Sequence, residues 1–358
     1  MISKHFTEKL IKWHLRKNKR VMPWKGEKDP YKIWISEIIL QQTRVEQGLE
    51  YYNKFILRFP TIDLLATAPE EEIFKLWEGL GYYSRCKNLI YTAKNIFFDL
   101  QGNFPATFEE ILKLKGVGPY TAAAIASFAF GLPHAVVDGN VTRVLSRYFG
   151  DSIPIDSAKG KNHFTQLANQ LLHKKDPGQF NQAIMDFGAT ICKPQNPLCS
   201  DCVMIDQCVG YQSNIVELLP VKEKKLIKKK RWLSYFVFKL NKAVFIKKRT
   251  EKDIWQNLHE FFLIESKKHI EWDNQSINEY LNSKLNINDF EILSVSDTAV
   301  QQLTHQTLEG KFITIKIKKA SKCLDKYMLF DFEQLDKIAF PRFITSYLET
   351  NELEKLMR

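Results

Sequence analysis

Residues 114–144 read LKGVGPYTAAAIASFAFGLPHAVVDGNVTRV, and this stretch decides how the chain folds. It opens on two glycines, Gly116 and Gly118, that separate two segments of helical periodicity and predict a hairpin between two helices. Glycines lack a Cβ and let backbone N–H groups approach an anion, and the helix starting at Pro119 adds its positive N-terminal end. The stretch predicts either a phosphate clamp or a plain glycine-rich helix connection.

The same stretch ends on an isolated acid. Asp138 is the only carboxylate between Glu110 and Asp151, and it stands just before the helical pattern resumes near residue 141. It is predicted either as a reactive acid held a fixed distance downstream of the hairpin or as the N-cap of the next helix.

The composition is that of a globular protein with two or three domains. The chain has 358 residues, of which 44% are hydrophobic and 26% charged. Its net charge of +11 favours a polyanionic partner such as DNA, RNA or an anionic membrane surface. No apolar run reaches the ~18 residues of a membrane-spanning helix, and lysines interrupt the start of the chain too often for a secretory signal. We therefore expect a cytoplasmic protein without a membrane partner.

The first 210 residues show helical periodicity, and one helix is apolar nearly all round. It runs from Tyr31 to Thr43 and carries Glu37 among isoleucines. A helix apolar on all faces is buried, and a buried carboxylate needs a partner or holds its proton near neutral pH. The alternative is that Glu37 occupies a single exposed stripe.

Four of the six cysteines fall within seventeen residues, in the pattern C-x6-C-x2-C-x5-C formed by Cys192, Cys199, Cys202 and Cys208. In a reducing compartment such a cluster predicts a metal site more than disulfides. Zinc usually takes two C-x2-C pairs, whereas one close pair in a compact run favours an iron–sulfur cluster.

Beyond residue 210 the pattern changes. Residues 211–231 form a basic linker, which is either a solvated tether or a stretch that lies along phosphates. Its charge comes from Lys222, Lys224, Lys225, Lys228, Lys229, Lys230 and Arg231. Alternating apolar residues then predict strands from Trp232 onward, with a helix near 274–285, so that residues 232–358 form an α+β domain.

Three features together carry a resemblance to a known family. Glu37 is followed by Gln41-Gln42-Thr43, the hairpin is followed by Val137-Asp138-Gly139-Asn140, and the four-cysteine run comes after both. The combination closely resembles the helix-hairpin-helix DNA glycosylases of the endonuclease III superfamily, and specifically the adenine DNA glycosylase family. The likeness extends from about residue 13 to 208 and continues through residues 254–265.

The resemblance implies a multi-domain fold. Residues 1–210 would form an all-α, two-lobed glycosylase domain, with its helix-hairpin-helix at about 107–130 and a four-cysteine iron–sulfur loop at 192–208. The basic linker 211–231 would join it to a Nudix-like recognition domain, 232–358. A Nudix hydrolase needs an acidic R-E-x-x-E-E core to hold magnesium, and the second domain lacks one. We therefore expect this domain to bind and not to hydrolyse.

The resemblance also implies the reaction. The enzyme would hydrolyse the N-glycosidic bond of adenine mispaired with 8-oxoguanine or guanine, in base-excision repair of double-stranded DNA, and leave an abasic site. It would carry a 4Fe–4S cluster on the four cysteines and work as a monomer in the cytoplasm, at the nucleoid in a bacterium.

By the same resemblance, Glu37 is the acid that protonates adenine, and Asp138 stabilises the sugar cation or bonds to it transiently. Tyr120 and Asn140 position these two. Relatives with lyase activity carry a lysine where this chain has Tyr120, and a tyrosine cannot form an imine. The resemblance therefore implies hydrolysis without strand cleavage.

The remaining family positions concern DNA and the two bases. Gln42 and Tyr82 resemble wedges inserted into the duplex, and Trp24 and Gln182 resemble the lining of the adenine pocket. The DNA contacts implied by the resemblance are Gln41, Gln42, Thr43, Tyr82, Gly116 and Gly118. The family reads 8-oxoguanine partly through a Phe-Ser-His turn, and here the matching residues are Leu303, Thr304 and His305. The turn keeps a hydroxyl and the histidine but loses the aromatic ring.

Two other functions remain open. One is an endonuclease III-like glycosylase with lyase activity, against which Tyr120 and the second domain both argue. The other is a non-catalytic, metal-stabilised DNA-binding protein, in which Glu37 and Asp138 would be dispensable.

Overall fold

A computed structural model of the chain describes residues 2–223 and 228–350. They divide into two compact units: the first holds the described residues up to Thr67 together with Asn88–Glu223, and the second holds Ala68–Lys87 together with the residues from Lys228 onward. Lys224 and Lys225 of the predicted linker lie outside the described residues. Across the described part of the chain, no helix has the length and apolar character needed to cross a membrane.

Helices dominate the first half of the sequence. In chain order the described α-helices are α1 (Ile2–Lys17), α2 (Pro30–Leu40), α3 (Val45–Arg58), α4 (Ile62–Thr67), α5 (Glu70–Leu76), α6 (Ser84–Lys94), α7 (Phe108–Lys113), α8 (Pro119–Phe130), α9 (Gly139–Phe149), α10 (Ala158–Leu171), α11 (Pro177–Thr190), α12 (Val209–Gln212), α13 (Asn274–Leu285) and α14 (Arg342–Leu348).

The core of the first unit lies between α1, α8, α9, α10 and α11, and Phe6, Phe164 and Phe180 are buried in it. The alanines of α8 allow neighbouring helices to approach closely, and α2 and α11 both pack against this helix. This close packing brings the residues of α2, α8 and α11 to a common site.

The predicted hairpin connects α7 to α8. Gly116 adopts φ +81, and a Cβ there would lie 2.7 Å from the Cβ of Asn88, so that position requires glycine. A Cβ on Gly118 would meet nothing within 4 Å, which leaves open space beside the start of α8. Thr92 Oγ1 donates to the carbonyl of Lys115 at 2.9 Å and ties the hairpin to α6.

The second unit is built on a mixed eight-stranded sheet. Its strands are β1 (Lys229–Leu240), β2 (Ala243–Lys248), β3 (His259–Glu260), β4 (Phe262–Ser266), β5 (Phe290–Val295), β6 (Ala299–Gln302), β7 (Gln306–Ile317) and β8 (Met328–Asp331). The main order is β3-β2-β1-β7-β5, with β4 on β1, β6 on β7 and β8 on β2. The long central pair β1 and β7 runs parallel, and the other pairs are antiparallel.

Helices cover both faces of this sheet. Phe236 and Phe238 pack in a cluster with Ile277 and Leu281 of α13. The other face of the sheet packs against α14. There the ring of Phe312 stacks on Tyr347 at 3.9 Å, and the Tyr347 hydroxyl shares a hydrogen bond with Thr314. The two-residue period of the strands explains the two apolar layers. A helical domain followed by a mixed α+β domain is therefore confirmed.

Residues 68–87 belong to the sheet-containing unit although they lie inside the helical part of the sequence. Lys75 Nζ donates to the carbonyl of Ile338 at 3.1 Å, and Glu78 accepts from the backbone N–H of Phe340 at 2.7 Å. An ion pair joins Glu71 to Lys248 at 2.9 Å. These contacts fix the turn that carries Tyr82 within the second unit.

Candidate active site

Glu37 lies on α2, a helix whose residues from Ile33 to Ile39 are all buried. Asp29 caps the start of the helix and accepts from the N–H of Tyr31 at 2.9 Å. The Glu37 residue is only 7% exposed, so the exposed-stripe alternative is wrong. A helix apolar on all faces has no exposed stripe to offer.

Burial raises the pKa of Glu37 to about 7, a hydrogen bond from Tyr120 opposes the shift, and the charge of Asp138 adds to it. A carboxyl with this pKa carries its proton in about half of the molecules at neutral pH. Glu37 is therefore an acid able to donate a proton under physiological conditions.

Asp138 caps α9. Its carboxylate accepts from the N–H of Val141 at 2.8 Å and from the side-chain amide of Asn140 at 2.7 Å. Burial raises the pKa of Asp138, and the hydrogen bonds from Val141 and Asn140 oppose this shift. The residue is the predicted N-cap, and the cap fixes the direction of its carboxylate.

Both acids line one cavity of about 440 Å³ inside the first unit. The other predicted residues on its wall are Trp24, Thr43, Tyr120, Asn140 and Gln182. Burial raises the pKa of Tyr120 well above its usual range, and the charge of Glu37 adds to the shift, so Tyr120 is a neutral phenol. The cavity therefore combines one acid that can be protonated, one carboxylate held by hydrogen bonds and an indole ring.

Two positively charged side chains that the sequence did not predict also line the cavity. Arg20 and Lys25 both line it, and both form ion pairs with Asp186, at 3.0 and 3.1 Å. One signal for this cluster was available: Gln182 and Asp186 stand four residues apart on a predicted helix, and such residues are neighbours on one face.

Another residue that the sequence did not predict connects this site to the cysteine loop. Arg143 on α9 donates to Asn140 Oδ1 at 2.9 Å and to the carbonyl of Cys192 at 2.8 Å. Asn140 in turn donates to Asp138. The position of the Asp138 carboxylate is therefore coupled to the backbone of the loop that holds the cysteines.

The cysteine loop packs against α9. Arg147 donates to the sulfur of Cys192 at 3.6 Å and to the carbonyl of Lys193 at 2.6 Å. The N–H of Met204 donates to the sulfur of Cys202 at 3.4 Å. Cationic and N–H donors directed at sulfur stabilise thiolates, the form that binds metal. Within residues 2–223 and 228–350, no three Cys, His, Asp or Glu side chains are arranged to hold one metal ion.

The predicted DNA contacts of the first unit lie around the start of α3 and at the hairpin. Gln41 donates to Thr121 at 3.2 Å. Gln42 is exposed and adopts φ 57, an uncommon conformation for a residue with a side chain. Strain of this kind is often found at functional positions.

The second unit brings Tyr82 together with the predicted recognition turn. Tyr82, Leu303, Thr304 and His305 line a cavity of about 390 Å³, and the hydroxyls of Tyr82 and Thr304 share a hydrogen bond. The turn connects β6 to β7 and is closed by a hydrogen bond from the N–H of Leu303 to the carbonyl of Gln306 at 2.8 Å. Tyr82 is 41% exposed, so its ring is accessible.

Comparisons with known proteins agree with this architecture. Residues 35–170 match the family described as HhH-GPD superfamily base excision DNA repair protein, and residues 234–350 match the NUDIX domain family. Two curated relatives, both named adenine DNA glycosylase, come from subspecies of Buchnera aphidicola. The relative from Buchnera aphidicola subsp. Schizaphis graminum is 39% identical over 270 residues, 75% of this chain and 77% of its own length. The relative from Buchnera aphidicola subsp. Baizongia pistaciae is 39% identical over 254 residues, 71% of this chain and 72% of its own length.

A solved structure titled as a thermostable thymine-DNA glycosylase is 32% identical, with a TM-score of 0.55 over 59% of this chain and 97% of that chain. The fold, the cavity with its two acids and these likenesses define a helix-hairpin-helix glycosylase of base-excision DNA repair. The chain belongs to the adenine DNA glycosylase family, and it is an N-glycosylase, a hydrolase.

Proposed function

We propose that the protein removes adenine mispaired with 8-oxoguanine or guanine in double-stranded DNA and leaves an abasic site without cutting the strand. The single observation that carries the proposal is the shared cavity of Glu37 and Asp138. Its dimensions suit one flipped base: ~300–1,000 Å³ is the usual range for a small-molecule site. The enzyme acts as a monomer in the cytoplasm. Its proposed domains are 1–210 and 232–358 with a linker at 211–231, but residues 68–87 complete the sheet-containing unit and β1 begins inside the linker at Lys229.

The reaction begins when the target nucleotide leaves the base stack, because its glycosidic bond is inaccessible in the duplex. Gln42 and Tyr82 fill the space beside the mismatch, and Gln41, Thr43, Gly116 and Gly118 contact the backbone. Supporting observations are the exposed ring of Tyr82 and the open space beside Gly118. The extruded adenine then lies between Trp24 and Gln182.

Glu37 transfers its proton to a ring nitrogen of adenine. The bond between the base nitrogen and the sugar C1′ breaks, and its electron pair leaves with the base, which departs as neutral adenine. The sugar becomes cationic at C1′, and the carboxylate of Asp138 stabilises that charge or bonds to it transiently. Water then adds to C1′ and releases a proton. Tyr120, through its hydrogen bond to Glu37, and Asn140, through Asp138, position the two acids.

We also propose that Cys192, Cys199, Cys202 and Cys208 hold a 4Fe–4S cluster. Each cysteine of such a cluster binds a different iron, so the four sulfurs need not converge on a single ion. The four thiols and the donors of Arg147 and Met204 fit this group. When bound, the cluster fixes the loop that Arg143 connects to Asn140. A visible charge-transfer band with four irons per chain supports the assignment, and stoichiometric zinc contradicts it.

The proposed function is tested by single-turnover release of adenine from duplexes that carry it opposite 8-oxoguanine, guanine or thymine. We expect fast release opposite 8-oxoguanine, slower release opposite guanine and little opposite thymine. Borohydride should trap no covalent complex on abasic DNA, since Tyr120 cannot form an imine. Absence of adenine release from all three duplexes contradicts the proposal, and efficient trapping indicates a lyase.

The pH dependence of adenine release follows from the raised pKa of Glu37. Only the protonated acid donates, and its pKa is raised to about 7. The single-turnover rate should therefore be greatest below pH 7 and fall about tenfold per pH unit well above it. A pH–rate profile between pH 5.5 and 9 checks this. A rate that stays constant up to pH 9 excludes Glu37 as the proton donor.

Recognition of 8-oxoguanine is proposed for the turn of Leu303, Thr304 and His305. The double variant Thr304→Ala, His305→Ala should lose about thirtyfold of its preference for 8-oxoguanine over guanine, because two hydrogen-bonding groups of ~1 kcal/mol each are removed. The measurement is the ratio of adenine release rates opposite the two bases. Thr250→Ala, His269→Ala is a matched control, since these residues are exposed outside this cavity. An unchanged ratio in the first variant would show that Thr304 and His305 do not recognise 8-oxoguanine.

A further inference from the structure

Asp186 is a fully buried carboxylate that none of the roles above requires. It lies on α11 with its side chain 0% exposed. One oxygen accepts from Asn18 at 2.7 Å and Lys25 at 3.1 Å. The other accepts from Arg20 at 3.0 Å and from the side-chain amide of Gln182 at 3.1 Å. Four donors from two segments of the chain therefore converge on one side chain.

Three of these donors, Arg20, Lys25 and Gln182, line the cavity that contains Glu37. Asp186 itself is absent from the lining. It therefore makes no direct contact with a base in the cavity, and the groups that it presents there are the residues that it holds.

The contact with Asp186 determines which end of the Gln182 amide faces the cavity. A carboxylate between two cations offers only acceptors, so the NH₂ group of Gln182 must turn toward it. The reverse orientation would place the Gln182 carbonyl oxygen against a carboxylate oxygen. Among the residues that the structure describes, Gln182 Oε1 accepts no hydrogen bond, so this oxygen is available to a ligand.

We infer that Asp186 is a positioning residue that sets base specificity: it holds the Gln182 carbonyl toward the base, where it accepts from a 6-amino purine and rejects a 6-oxo purine. This inference rests on the proposed removal of adenine. Adenine has an exocyclic amino group that donates to such a carbonyl. Hypoxanthine has the same ring system with an acceptor oxygen at that position, and two facing acceptors in a desolvated site exclude it.

The test compares adenine with hypoxanthine, each placed opposite 8-oxoguanine, in single-turnover release by the full-length enzyme. The change Asp186→Asn provides both a donor and an acceptor, so Gln182 can adopt either orientation. The adenine-to-hypoxanthine rate ratio should fall at least tenfold. Gln182→Leu removes the carbonyl and should lower the ratio by a similar factor.

The double variant Asp186→Asn, Gln182→Leu separates positioning from general stability. If Asp186 acts through Gln182, the double variant has the same ratio as Gln182→Leu alone. If Asp186 only stabilised the fold, Asp186→Asn would slow the release of adenine and hypoxanthine equally. Asp63→Asn, an exposed change in the same unit, is the control and should keep the wild-type ratio.

The outcomes are distinct. A wild-type enzyme that releases adenine and an Asp186→Asn variant with the wild-type ratio overturn this inference alone. A wild-type enzyme that releases no adenine overturns the proposed function as well. If Asp186→Asn does not fold, Asp186→Glu takes its place: it keeps the acceptor and should keep the ratio to within about threefold, and a folded Asp186→Glu enzyme without the preference overturns the inference.

Discussion

Glu37→Gln should lower the single-turnover rate of adenine release by about 10²–10⁴-fold, the usual contribution of a positioned general acid. Glutamine has the shape of the protonated acid but no acidic proton. Because Glu37 is buried on α2 and lines the cavity without reaching the outer surface, the affinity for duplex DNA should be unchanged. The measurements are the rate of base release and the equilibrium binding of the same duplex.

Stability supplies an internal control for this variant. Burial raises the pKa of Glu37 to about 7, so the folded protein binds more protons than the unfolded chain between the ordinary glutamate pKa and pH 7. Folding stability from this group is therefore greatest at low pH and falls by about 1.4 kcal/mol per pH unit as the pH rises through that window. The Glu37→Gln variant does not lose this stability as the pH rises, because glutamine does not titrate.

The melting temperature of the variant should accordingly rise relative to the wild type between pH 5 and 7 and then level off. The exposed change Glu46→Gln on α3 is a matched control that should alter neither rate nor relative stability. Near-normal adenine release by Glu37→Gln would show that the proton comes from elsewhere.

Asp138→Asn should slow adenine release by about 10²–10³-fold, a typical loss when one electrostatic stabiliser of a transition state is removed. The cation that forms at C1′ then faces a neutral amide. Asparagine caps helices as well as aspartate does, and its side-chain oxygen can still accept from the N–H of Val141. The new amide NH₂ faces the Asn140 amide, which loses its acceptor, so a small fall in the unfolding temperature should accompany the much larger loss of rate.

Asp273→Asn is the matched control for this change. Asp273 caps α13 in the second unit and accepts from the N–H of Ser276 at 2.8 Å. It caps a helix as Asp138 does, but it does not line the cavity that contains Glu37. A rate for Asp138→Asn within a few fold of the wild type would leave Asp138 as a cap only.

The sequence predicted the helices around the hairpin well because their apolar residues repeat at helical spacing over long segments. The strand boundaries and strand pairing of the second unit were harder to predict from the sequence. Residues 258–265 alternate like one strand, but the structure divides them into β3, which pairs with β2, and β4, which pairs with β1. Alternation shows that a segment is extended and not which strand it pairs with. β6 and β8 are four residues long, too short for a periodic signal.

The site was predictable where chemistry restricts the residue type and not where packing decides. A lone glutamate among isoleucines indicates burial, and an aspartate before a helix indicates a cap. Arg20 and Lys25 gave no comparable signal, because Arg20 and Asp186 are 166 positions apart in the chain and meet only after folding. The four cysteines were visible as a spaced motif, but the arginines of α9 that contact their loop were not.

The placement of residues 68–87 has a consequence for any attempt to separate the two units of this enzyme. The polypeptide passes from the first unit to the second at Ala68, returns to the first at Asn88 and belongs to the second again from Lys228 onward, so neither unit is one continuous segment. Cutting the chain near residue 225 would strip Glu71, Lys75 and Glu78 of their partners on Lys248, Ile338 and Phe340. The segment 68–87 and the sheet therefore depend on each other's contacts, and residues 228–350 expressed alone should be less stable than in the full chain.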